Sequence, residues 1–426
     1  MTDQPTAAMQ ERLAASRRLA GLINGYQISA AIGAFARLGI ADALAEGPAP
    51  PAELAARLGA DGRSLARLLE ATLEVGLFEA CDDGRYTLTP LGQLLRADVE
   101  GSLRRLAIVS TDEWRWRAYG HLTHALRTGE PGFVQAHGCR FWEYLASHPE
   151  EAASFNQTMS RVSAQRDAVL ASAYDFGDIR RLIDVGGGHG GLVCAVLARH
   201  PQLQGVVFDL PSVVEGAREQ LLKAGLAERC EAIAGDFLEA VPPGGDAYLL
   251  SWILHDWDDE TALRILVSCR AAMSDAARLL VVELIAPAAD DHAPAPSVAR
   301  LVKQTDLEML AVVGGRERTA AEYGELLAQA GFRPRPHPAT RGDTLECDRG
   351  PDGLSRQISA GSRPLSTSSR PRSRSPAGSQ SAAESDAHAA RCSAVADGDG
   401  VSRRQNVGSL AESEIDCTTE VEKKSF

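Results

Sequence analysis

The sequence predicts an α/β domain with a mainly parallel sheet, preceded by a helical domain and followed by a segment without a core. Between residues 171 and 347, short apolar runs alternate with stretches of helical spacing, as strands and crossover helices do. Before residue 171 the apolar residues recur at helical spacing, and after residue 347 they become sparse. With 426 residues and 44% hydrophobic content, the chain can form two or three domains with a buried core.

The acidic balance of the chain narrows the classes of partner. The formal net charge is −13, and nucleic acids and anionic membranes both select positive surfaces, so we expect neither. No window of 18 apolar residues is free of charge, which predicts no membrane-spanning helix. The start of the chain lacks the apolar core of a secretory signal, and the eight cysteines are scattered without a C-x-x-C motif. These features predict a reduced, cytoplasmic protein.

Residues 1–170 are predicted to form a helical domain of the winged-helix type. The stretch "GYQISAAIGAFARLGIADALAEG" has helical spacing and ends at Gly47, and two amphipathic helices follow in "PAELAARLGA" and "GRSLARLLEATLEVGLFEA". Next comes "LFEACDDGRYTLTP", a predicted hairpin with its turn at Asp83 and Gly84. Three helices followed by a hairpin are typical of a winged helix.

Winged helices often bind DNA, but the charges of this one favour another role. Residues 48–100 contain nine acidic and five basic side chains, and the second amphipathic helix mixes Arg63 and Arg67 with Glu70 and Glu74. A DNA-binding surface needs a basic face. The sequence therefore favours a packing and dimerisation domain, with a ligand-sensing DNA-binding regulator as the alternative.

Glycines and an acid follow the first two predicted strands of residues 171–347. In "RRLIDVGGGHGGLVCAVLARHP" a strand, a glycine-rich turn and a helix succeed one another, and Gly186, Gly188 and Gly191 satisfy G-x-G-x-x-G. Asp209 ends the next strand, 23 residues after Gly186, where a carboxylate can accept hydrogen bonds from ribose hydroxyls. Dinucleotide-binding and methyl-donor-binding folds both use such a turn, so NAD would fit this pattern.

The third strand adds Asp236 and Phe237 in "AGDFLEAVPPG". A carboxylate at this position suits the amino group of an adenine, and an aromatic ring beside it can cover the face of the base. Helix capping is the plain alternative for Asp236. Because the ends of parallel strands meet at one edge of a sheet, we expect all these residues to line one ligand site.

His255 follows a buried strand in "LLSWILHDWDDE" and allows three interpretations. As a general base, a neutral imidazole could accept the proton of a phenol, whose pKa is near 10. As a metal ligand, it could act with Asp256, Asp258 and Asp259, although the last two open a helix where capping explains them. As a core or helix-start histidine, it would have no chemical role.

Taken together, the motifs "LIDVGGGHG", "FDLP", "GDF", "HDWDDE" and "GGRERT" resemble those of the S-adenosylmethionine-dependent small-molecule O-methyltransferases. The likeness is closest to plant caffeate-type enzymes and bacterial natural-product enzymes, and it covers roughly residues 15–347. It implies a Rossmann-like, seven-stranded methyltransferase sheet with a reversed last hairpin, and a homodimer without a metal. It also implies a small aromatic substrate and the cofactor S-adenosylmethionine, which leaves as S-adenosylhomocysteine.

The resemblance also assigns roles to individual residues. His255 matches the general base, and Glu283 and Glu317 match the carboxylates that flank it, although Glu317 could instead pair with Arg316 or Arg318. Residues that match cofactor positions are Gly186, Gly188, Asp209, Leu210, Asp236, Phe237, Ser251 and Trp257. Residues that match substrate positions, for which a core role is the alternative, are Phe141, Trp142, Phe155, Met159, Trp252, Met309 and Val312. At Ser251 the family often has a lysine or an arginine.

The sequence therefore predicts an O-methyltransferase that acts on a hydroxyl of an aromatic natural product. A family member that binds the donor without transferring methyl is one alternative, and an NAD-dependent oxidoreductase is another. Neither the substrate nor the hydroxyl position follows from the sequence.

The end of the chain departs from this pattern. Pro334, Pro336 and Pro338 alternate along one predicted strand, which only an edge strand tolerates, and "DTLECD" predicts a short last strand. Residues 348–426 contain 16 serines, 11 basic and 11 acidic residues, and no aromatic residue before Phe426. Such a segment is predicted to be disordered, and its composition suggests a shifted reading frame or a fused extension.

Overall fold

The computed structural model of the protein describes residues 7–288, 296–336 and 344–349. The amino-terminal part begins with helices and a hairpin: α1 (Ala7–Ile23), α2 (Gly25–Leu38), α3 (Ile40–Ala45), α4 (Pro51–Leu58), α5 (Gly62–Thr72), β1 (Phe78–Ala80) and β2 (Tyr86–Leu88). Further helices follow: α6 (Pro90–Gln93), α7 (Arg104–Val109), α8 (Glu113–Gly120), α9 (Leu122–Thr128), α10 (Gly132–His137), α11 (Phe141–Ser147) and α12 (Pro149–Ala173).

The winged-helix pattern that the sequence predicted is present in the first part. The Asp61 carboxylate caps α5 by accepting a hydrogen bond from the N–H of Ser64 at 2.8 Å, and the buried Leu69 fixes the inner face of that helix. Strands β1 and β2 pair antiparallel, with Phe78 opposite Leu88. These elements pack around one apolar core of their own.

The first predicted helical stretch is divided into two helices. The sequence showed continuous helical spacing up to Gly47, but α2 ends at Leu38 and is followed by Gly39, which has a φ of 73°. A glycine adopts this left-handed conformation without steric strain, so the chain turns there and restarts as α3. The apolar spacing alone gave no sign of this break.

The second part alternates strands and helices. Its elements are β3 (Arg181–Val185), α13 (Gly191–Arg199), β4 (Gln204–Asp209), α14 (Pro211–Lys223), β5 (Cys230–Ala234), β6 (Ala247–Ser251), α15 (Asp259–Ala272), β7 (Arg278–Val282), β8 (Ile285–Ala286), α16 (Pro296–Glu308), β9 (Arg318–Thr319), α17 (Ala320–Gln329), β10 (Phe332–Pro336) and β11 (Thr344–Arg349). A 3₁₀ turn lies at Leu254–Asp256, and a π-helical turn lies at Met309–Val313.

The central sheet has the strand order β10-β11-β7-β6-β3-β4-β5. Strands β7, β6, β3, β4 and β5 are parallel, whereas β10 and β11 form an antiparallel hairpin that joins the sheet at β7. Strand β10 is the edge strand, as the prolines required, since Pro334 and Pro336 have no N–H to donate. Pro338 lies outside the described residues.

Helices cover the sheet on both faces. On one face, Tyr248 and Leu250 of β6 pack with residues of α15 and α17, while on the other face Leu249 packs with residues of α13 and α14. Successive side chains of a strand point to opposite faces, so strands that are buried on both sides need continuous apolar runs. The core therefore holds the strand ends rigidly at one edge of the sheet.

Two features bear on predictions about the whole chain. By length and composition alone, one described helical stretch, Ala8–Leu38, is apolar enough to cross a membrane, whereas the sequence predicted no membrane-spanning helix. Helices of soluble proteins can have the same length and composition, so these properties are weak support for a membrane span.

Most of the predicted disordered tail lies outside the described part of the chain. Its first two residues, Asp348 and Arg349, are the end of β11.

Candidate active site

The residues predicted to bind a cofactor follow the carboxyl ends of β3, β4 and β5, which meet at one edge of the sheet. After β3 the chain turns at Gly186 and Gly188, whose φ angles are 73° and 57°. The Asp209 carboxylate, at the end of β4, accepts hydrogen bonds from the N–H groups of Gly188 at 2.8 Å and Leu210 at 2.7 Å. The structure thus brings the glycine turn and this acid into direct contact.

Glycine is required in this turn for two reasons. A side chain at Gly186 would be strained by the positive φ, and its Cβ would lie 2.5 Å from Cδ1 of Ile253. At Gly188 a Cβ would meet no atom within 4 Å, so the space over that glycine is open. A ligand can therefore approach the backbone closely at Gly188.

Two buried acids that the sequence analysis did not assign lie beneath the turn. Burial, together with the neighbouring Asp167 and Asp209, raises the pKa of Asp184 to about 8. Asp167 comes from α12 and accepts hydrogen bonds from Ser163 at 2.8 Å and from Arg166 at 3.1 Å. Because they lie 17 residues apart in the sequence, no local motif signalled their proximity.

Asp236 and Phe237 follow β5 and serve different local purposes. The Asp236 carboxylate accepts a hydrogen bond from the N–H of Leu238 at 2.8 Å, which closes a turn; no helix begins there, so the helix-capping alternative is wrong. The Phe237 ring meets the Trp257 ring edge-on with centroids 6.0 Å apart. Ser251 ends β6, and its buried hydroxyl has no hydrogen-bond partner among the described residues.

His255 lies in the 3₁₀ turn that follows β6 and is only 3% exposed. Its Nδ1 is 2.9 Å from Oε1 of Glu317, a carboxylate that has no proton donor of its own. In the neutral ring, Nδ1 therefore carries the proton and donates it to Glu317, and the lone pair is on Nε2. Residues 62 positions apart in the sequence form this pair, as the family resemblance implied.

Glu283 holds the turn rather than the ring. Its Oε1 accepts hydrogen bonds from the N–H groups of Ile253 at 3.1 Å and Leu254 at 2.7 Å. Its Oε2 is 4.0 Å from Nδ1 of His255, beyond hydrogen-bond distance. Burial raises the pKa of Glu283 to about 7.

Asp256 is a further acid of the site that the sequence analysis considered only as a metal ligand. Its Oδ1 is 3.6 Å from Nε2 of His255, on the side of the ring opposite Glu317. Burial raises the pKa of Asp256 to about 6. Burial by itself would lower the pKa of His255, but the carboxylates of Asp256, Glu283 and Glu317 outweigh it and raise that pKa to about 9.

The loop that carries Glu317 is clamped onto the histidine turn. The N–H of Arg316 donates to the carbonyl oxygen of His255 at 2.9 Å, and a Cβ on Gly315 would lie 1.9 Å from that oxygen. The fully buried Arg318 donates to the carbonyl oxygens of Leu254 at 2.8 Å and Trp257 at 2.7 Å. These contacts fix the distance between the two loops.

The arginines next to Glu317 have other partners. Arg318 and Arg316 pair with Asp259 at 2.7 Å and 3.2 Å, so the alternative pairing with Glu317 does not occur. Asp258 caps α15 by accepting from the N–H of Thr261 at 2.8 Å. No group of three or more His, Cys, Asp or Glu side chains in the described chain is arranged to hold a metal ion.

Aromatic residues connect the predicted cofactor and substrate positions. The Trp257 ring stacks near the Trp142 ring with centroids 6.4 Å apart, and Trp142 meets Phe155 edge-on at 6.0 Å. Trp142, Phe155, Met159 and Trp252 are partly buried, whereas Phe141, Met309 and Val312 are buried among helices. Ring contacts therefore link Trp142 and Phe155 to Trp257, and Trp252 to His255, while Phe141 and Val312 pack in one apolar cluster with Trp142 and Phe155.

Trp252 has a strained backbone. Its φ of 57° makes it the one non-glycine residue with positive φ in the described chain. A large aromatic residue rarely adopts this conformation, and such strain concentrates at functional sites. The Trp252 ring meets the His255 ring edge-on at 5.4 Å, so the strain places the indole against the imidazole.

Comparisons with known proteins identify the family. A model of the O-methyltransferase domain matches residues 119–333, and a model of the O-methyltransferase dimerisation domain matches residues 20–98. Phenazine O-methyltransferase PhzM of Lysobacter antibioticus is 39% identical over 73% of this chain and 89% of its own. The mitomycin biosynthesis 6-O-methyltransferase of Streptomyces lavendulae is 37% identical over 80% of this chain and 93% of its own.

The chain belongs to the S-adenosylmethionine-dependent O-methyltransferase family. A related crystal structure, of O-methyltransferase NcsB1 from neocarzinostatin biosynthesis, contains S-adenosylmethionine and 2-hydroxy-5-methyl naphthoic acid. It matches with a TM-score of 0.66 and 36% identity over 75% of this chain and 95% of that chain. The predicted fold class, a helical dimerisation domain with a methyltransferase sheet, is confirmed, and the NAD-dependent oxidoreductase alternative is wrong.

The edge of this methyltransferase sheet has features that suit S-adenosylmethionine. Open space over Gly188 allows a ligand to approach the backbone, and the unpartnered Ser251 hydroxyl offers a polar contact. The Asp209 carboxylate at the end of β4 is a hydrogen-bond acceptor of the kind that suits ribose hydroxyls. The residues present therefore fit the donor that the family uses.

Proposed function

We propose that this methyltransferase transfers methyl from S-adenosylmethionine to a hydroxyl of an aromatic natural product, with His255 as the general base. The observation that carries the proposal is the pair between Nδ1 of His255 and Glu317 at 2.9 Å. It fixes the tautomer whose Nε2 has a free lone pair, which a base needs. The strained Trp252 and the aromatic rings beside it supply the walls of an acceptor pocket.

S-adenosylmethionine supplies an electrophilic methyl group on a positively charged sulfur. In our proposal Nε2 of His255 takes the hydroxyl proton as the acceptor oxygen attacks that methyl group. The new oxygen–carbon bond forms while the carbon–sulfur bond breaks, and the sulfur keeps the bonding electrons. The products are a methyl ether and S-adenosylhomocysteine, with the proton on His255.

The electrostatics around His255 support a strong base. Asp256, Glu283 and Glu317 raise its pKa to about 9, closer to the pKa of a phenol than free imidazole is. Proton transfer from a phenol is therefore less uphill, and the imidazolium that forms is stabilised by the same carboxylates. A larger fraction of the ring is deprotonated as the pH rises towards 9, so we expect activity to rise over this range.

Further residues support the binding of donor and acceptor. We propose that Gly186, Gly188, Asp209 and Ser251 hold the donor, with Leu210, Asp236, Phe237 and Trp257 around its nucleoside part. Trp142, Phe155, Met159 and Trp252 would line a slot for a flat ring, since partly buried aromatic and methionine side chains suit one. The related enzyme NcsB1, whose structure contains a naphthoic acid, supports the proposal of a flat aromatic acceptor.

We further propose that the enzyme is a cytoplasmic homodimer. Apolar side chains of α1 and α2 are exposed, with Leu22 at 70% and Ile23 at 65%, and the dimerisation-domain match begins at residue 20. Burying such a surface requires a partner. Among the described cysteines, those at positions 81, 139, 194, 230 and 269 are free, as in a reducing compartment.

Light scattering should give a dimer mass for the wild type and a lower mass for Leu22→Glu. A monomeric wild type would contradict the homodimer.

The enzymatic proposal can be tested with His255→Ala and a panel of phenolic acceptors. Turnover should fall at least about 100-fold, the usual scale of a general base, while affinity for S-adenosylhomocysteine stays within about threefold. Retained affinity shows that the variant is folded. Unchanged turnover would remove His255 from the mechanism, and wild-type binding of the donor without turnover of any acceptor would favour a member that binds but does not methylate.

A further inference from the structure

One cation lies against the proposed acceptor pocket and has no assigned role. The guanidinium of Arg166 is 4.6 Å from the centre of the Trp252 ring, and that ring meets His255. Arg166 comes from α12, at seven residues after Met159 and eleven after Phe155. These spacings place all three side chains on one face of the helix. Arg166 therefore extends the wall that Phe155 and Met159 form.

The hydrogen bonds of Arg166 leave part of its guanidinium free. Its Nε and Nη2 donate to Oδ1 of Asp167 at 3.3 Å and 3.1 Å, whereas Nη1 donates to none of the residues that the structure describes. The other oxygen of Asp167 accepts from Ser163 at 2.8 Å. With 28% of the Arg166 side chain exposed, the free edge can be reached by a ligand.

The charges nearby make this cation distinctive. The groups around His255 are the acids Asp256, Glu283 and Glu317, which would repel an anionic acceptor. Arg166 lies over the Trp252 ring that also meets His255, and although it pairs with Asp167, it is the positive group at this ring. An acceptor with its hydroxyl at His255 and an anion at Arg166 would be oriented by both groups. A planar guanidinium recognises a carboxylate specifically, through paired hydrogen bonds.

We propose that Arg166 binds a carboxylate of the acceptor, so that the substrates are hydroxyaromatic acids. The inference rests on the proposed function, because it assumes that the hydroxyl is methylated beside His255. The free Nη1, the ring of Trp252 beneath the guanidinium and the shared helix face with Met159 all favour this position. Loss of Arg166 should therefore weaken the binding of acidic acceptors and leave the binding of neutral acceptors almost unchanged.

Two other roles for Arg166 make different predictions. It could only hold Trp252 in its strained conformation through the cation–π contact, in which case every acceptor would suffer equally. It could instead bind the carboxylate of the methionine part of the donor, in which case affinity for S-adenosylhomocysteine would fall. The experiment separates these roles by measuring binding as well as turnover.

The test compares 1,4-dihydroxy-2-naphthoic acid with its methyl ester, by calorimetry in the presence of S-adenosylhomocysteine. Wild type should bind the acid more tightly than the ester. Arg166→Gln should lower the affinity for the acid by about 10- to 100-fold, the scale of a charged hydrogen-bonded pair. The same variant should change the affinity for the ester by less than about threefold. Arg166→Lys should recover part of the acid affinity. Arg161→Gln, an exposed arginine on the same helix, is the matched control.

Several outcomes would overturn the assignment. An equal loss of affinity for the acid and the ester would mean that Arg166 acts only by holding Trp252. A loss of affinity for S-adenosylhomocysteine would mean that Arg166 binds the carboxylate of the donor and not that of the acceptor. A wild type that binds the ester as tightly as the acid also refutes it. Because these readouts are affinities, absence of methylation would count against the proposed function and leave the test of Arg166 intact.

Discussion

Replacing Glu317 with Gln should weaken catalysis and change its pH dependence at the same time. The carboxylate is 2.9 Å from Nδ1 of His255, and both side chains are buried. A hydrogen bond to a charged group contributes about 1.5–3 kcal/mol. Since 1.36 kcal/mol corresponds to tenfold in rate, the plateau of kcat should fall by roughly 10- to 150-fold.

The pH profile gives an independent readout of the same contact. The Glu317 carboxylate is one of three that raise the pKa of His255, so its removal should lower that pKa. The rising limb of the kcat profile should therefore move to lower pH in Glu317→Gln. The assay is turnover from pH 6 to 10, with Glu325→Gln, an exposed acid on α17, as the control. A variant profile that superposes on the wild type would refute this account of the pair.

Three further predictions follow from the same contacts. Arg318→Ala should lower the free energy of unfolding by about 2–5 kcal/mol, because buried carbonyl oxygens lose their donor, while the exposed Arg264→Ala changes it little; equal effects in denaturant melts would contradict this. Folded-state pKa values raised from 6.5 to about 9 at His255 and from 4.5 to about 7 at Glu283 mean that the folded protein binds more protons. Stability should therefore fall between about pH 4.5 and 7 through Glu283 and between about 6.5 and 9 through His255, and a Tm that rises over the upper range would contradict the assignment. At pH 8, binding of the cationic S-adenosylmethionine should release protons, because a positive ligand disfavours a protonated His255. Calorimetry in buffers of different ionisation enthalpy should show this release, and much less of it with S-adenosylhomocysteine. Equal proton release with the two ligands would be evidence against this coupling.

Local patterns were sufficient to predict the main strands and the edge of the sheet where the glycine turn and the strand-end acid meet. Continuous apolar runs indicated strands buried on both faces, and Gly186 and Asp209 follow the ends of two neighbouring strands. Parallel strands place their carboxyl ends together, so the meeting of these residues followed from their order. By contrast, the break at Gly39 within one helical spacing was missed, because a glycine is compatible with either a continuous helix or a turn.

The roles of individual acids were decided by tertiary contacts. Motif resemblance gave both Glu283 and Glu317 as partners of His255, but only the structure shows that Glu317 contacts the ring while Glu283 holds the backbone of the turn. The approach of Asp256 to Nε2 depends on the 3₁₀ turn and had no separate signal in the sequence.

What the sequence by itself determined is the order of strands and helices along the chain, and the positions of the glycine turn and of the acids at the strand ends. These depend on apolar spacing and on residues that are neighbours in the chain, both of which can be read along one dimension. The tertiary structure alone decided the placement of Arg166 over Trp252, the strain of that tryptophan and the approach of Asp256 to the His255 ring. These depend on the turn after β6 and on distances between separate elements, which are set by how the helices pack on the sheet.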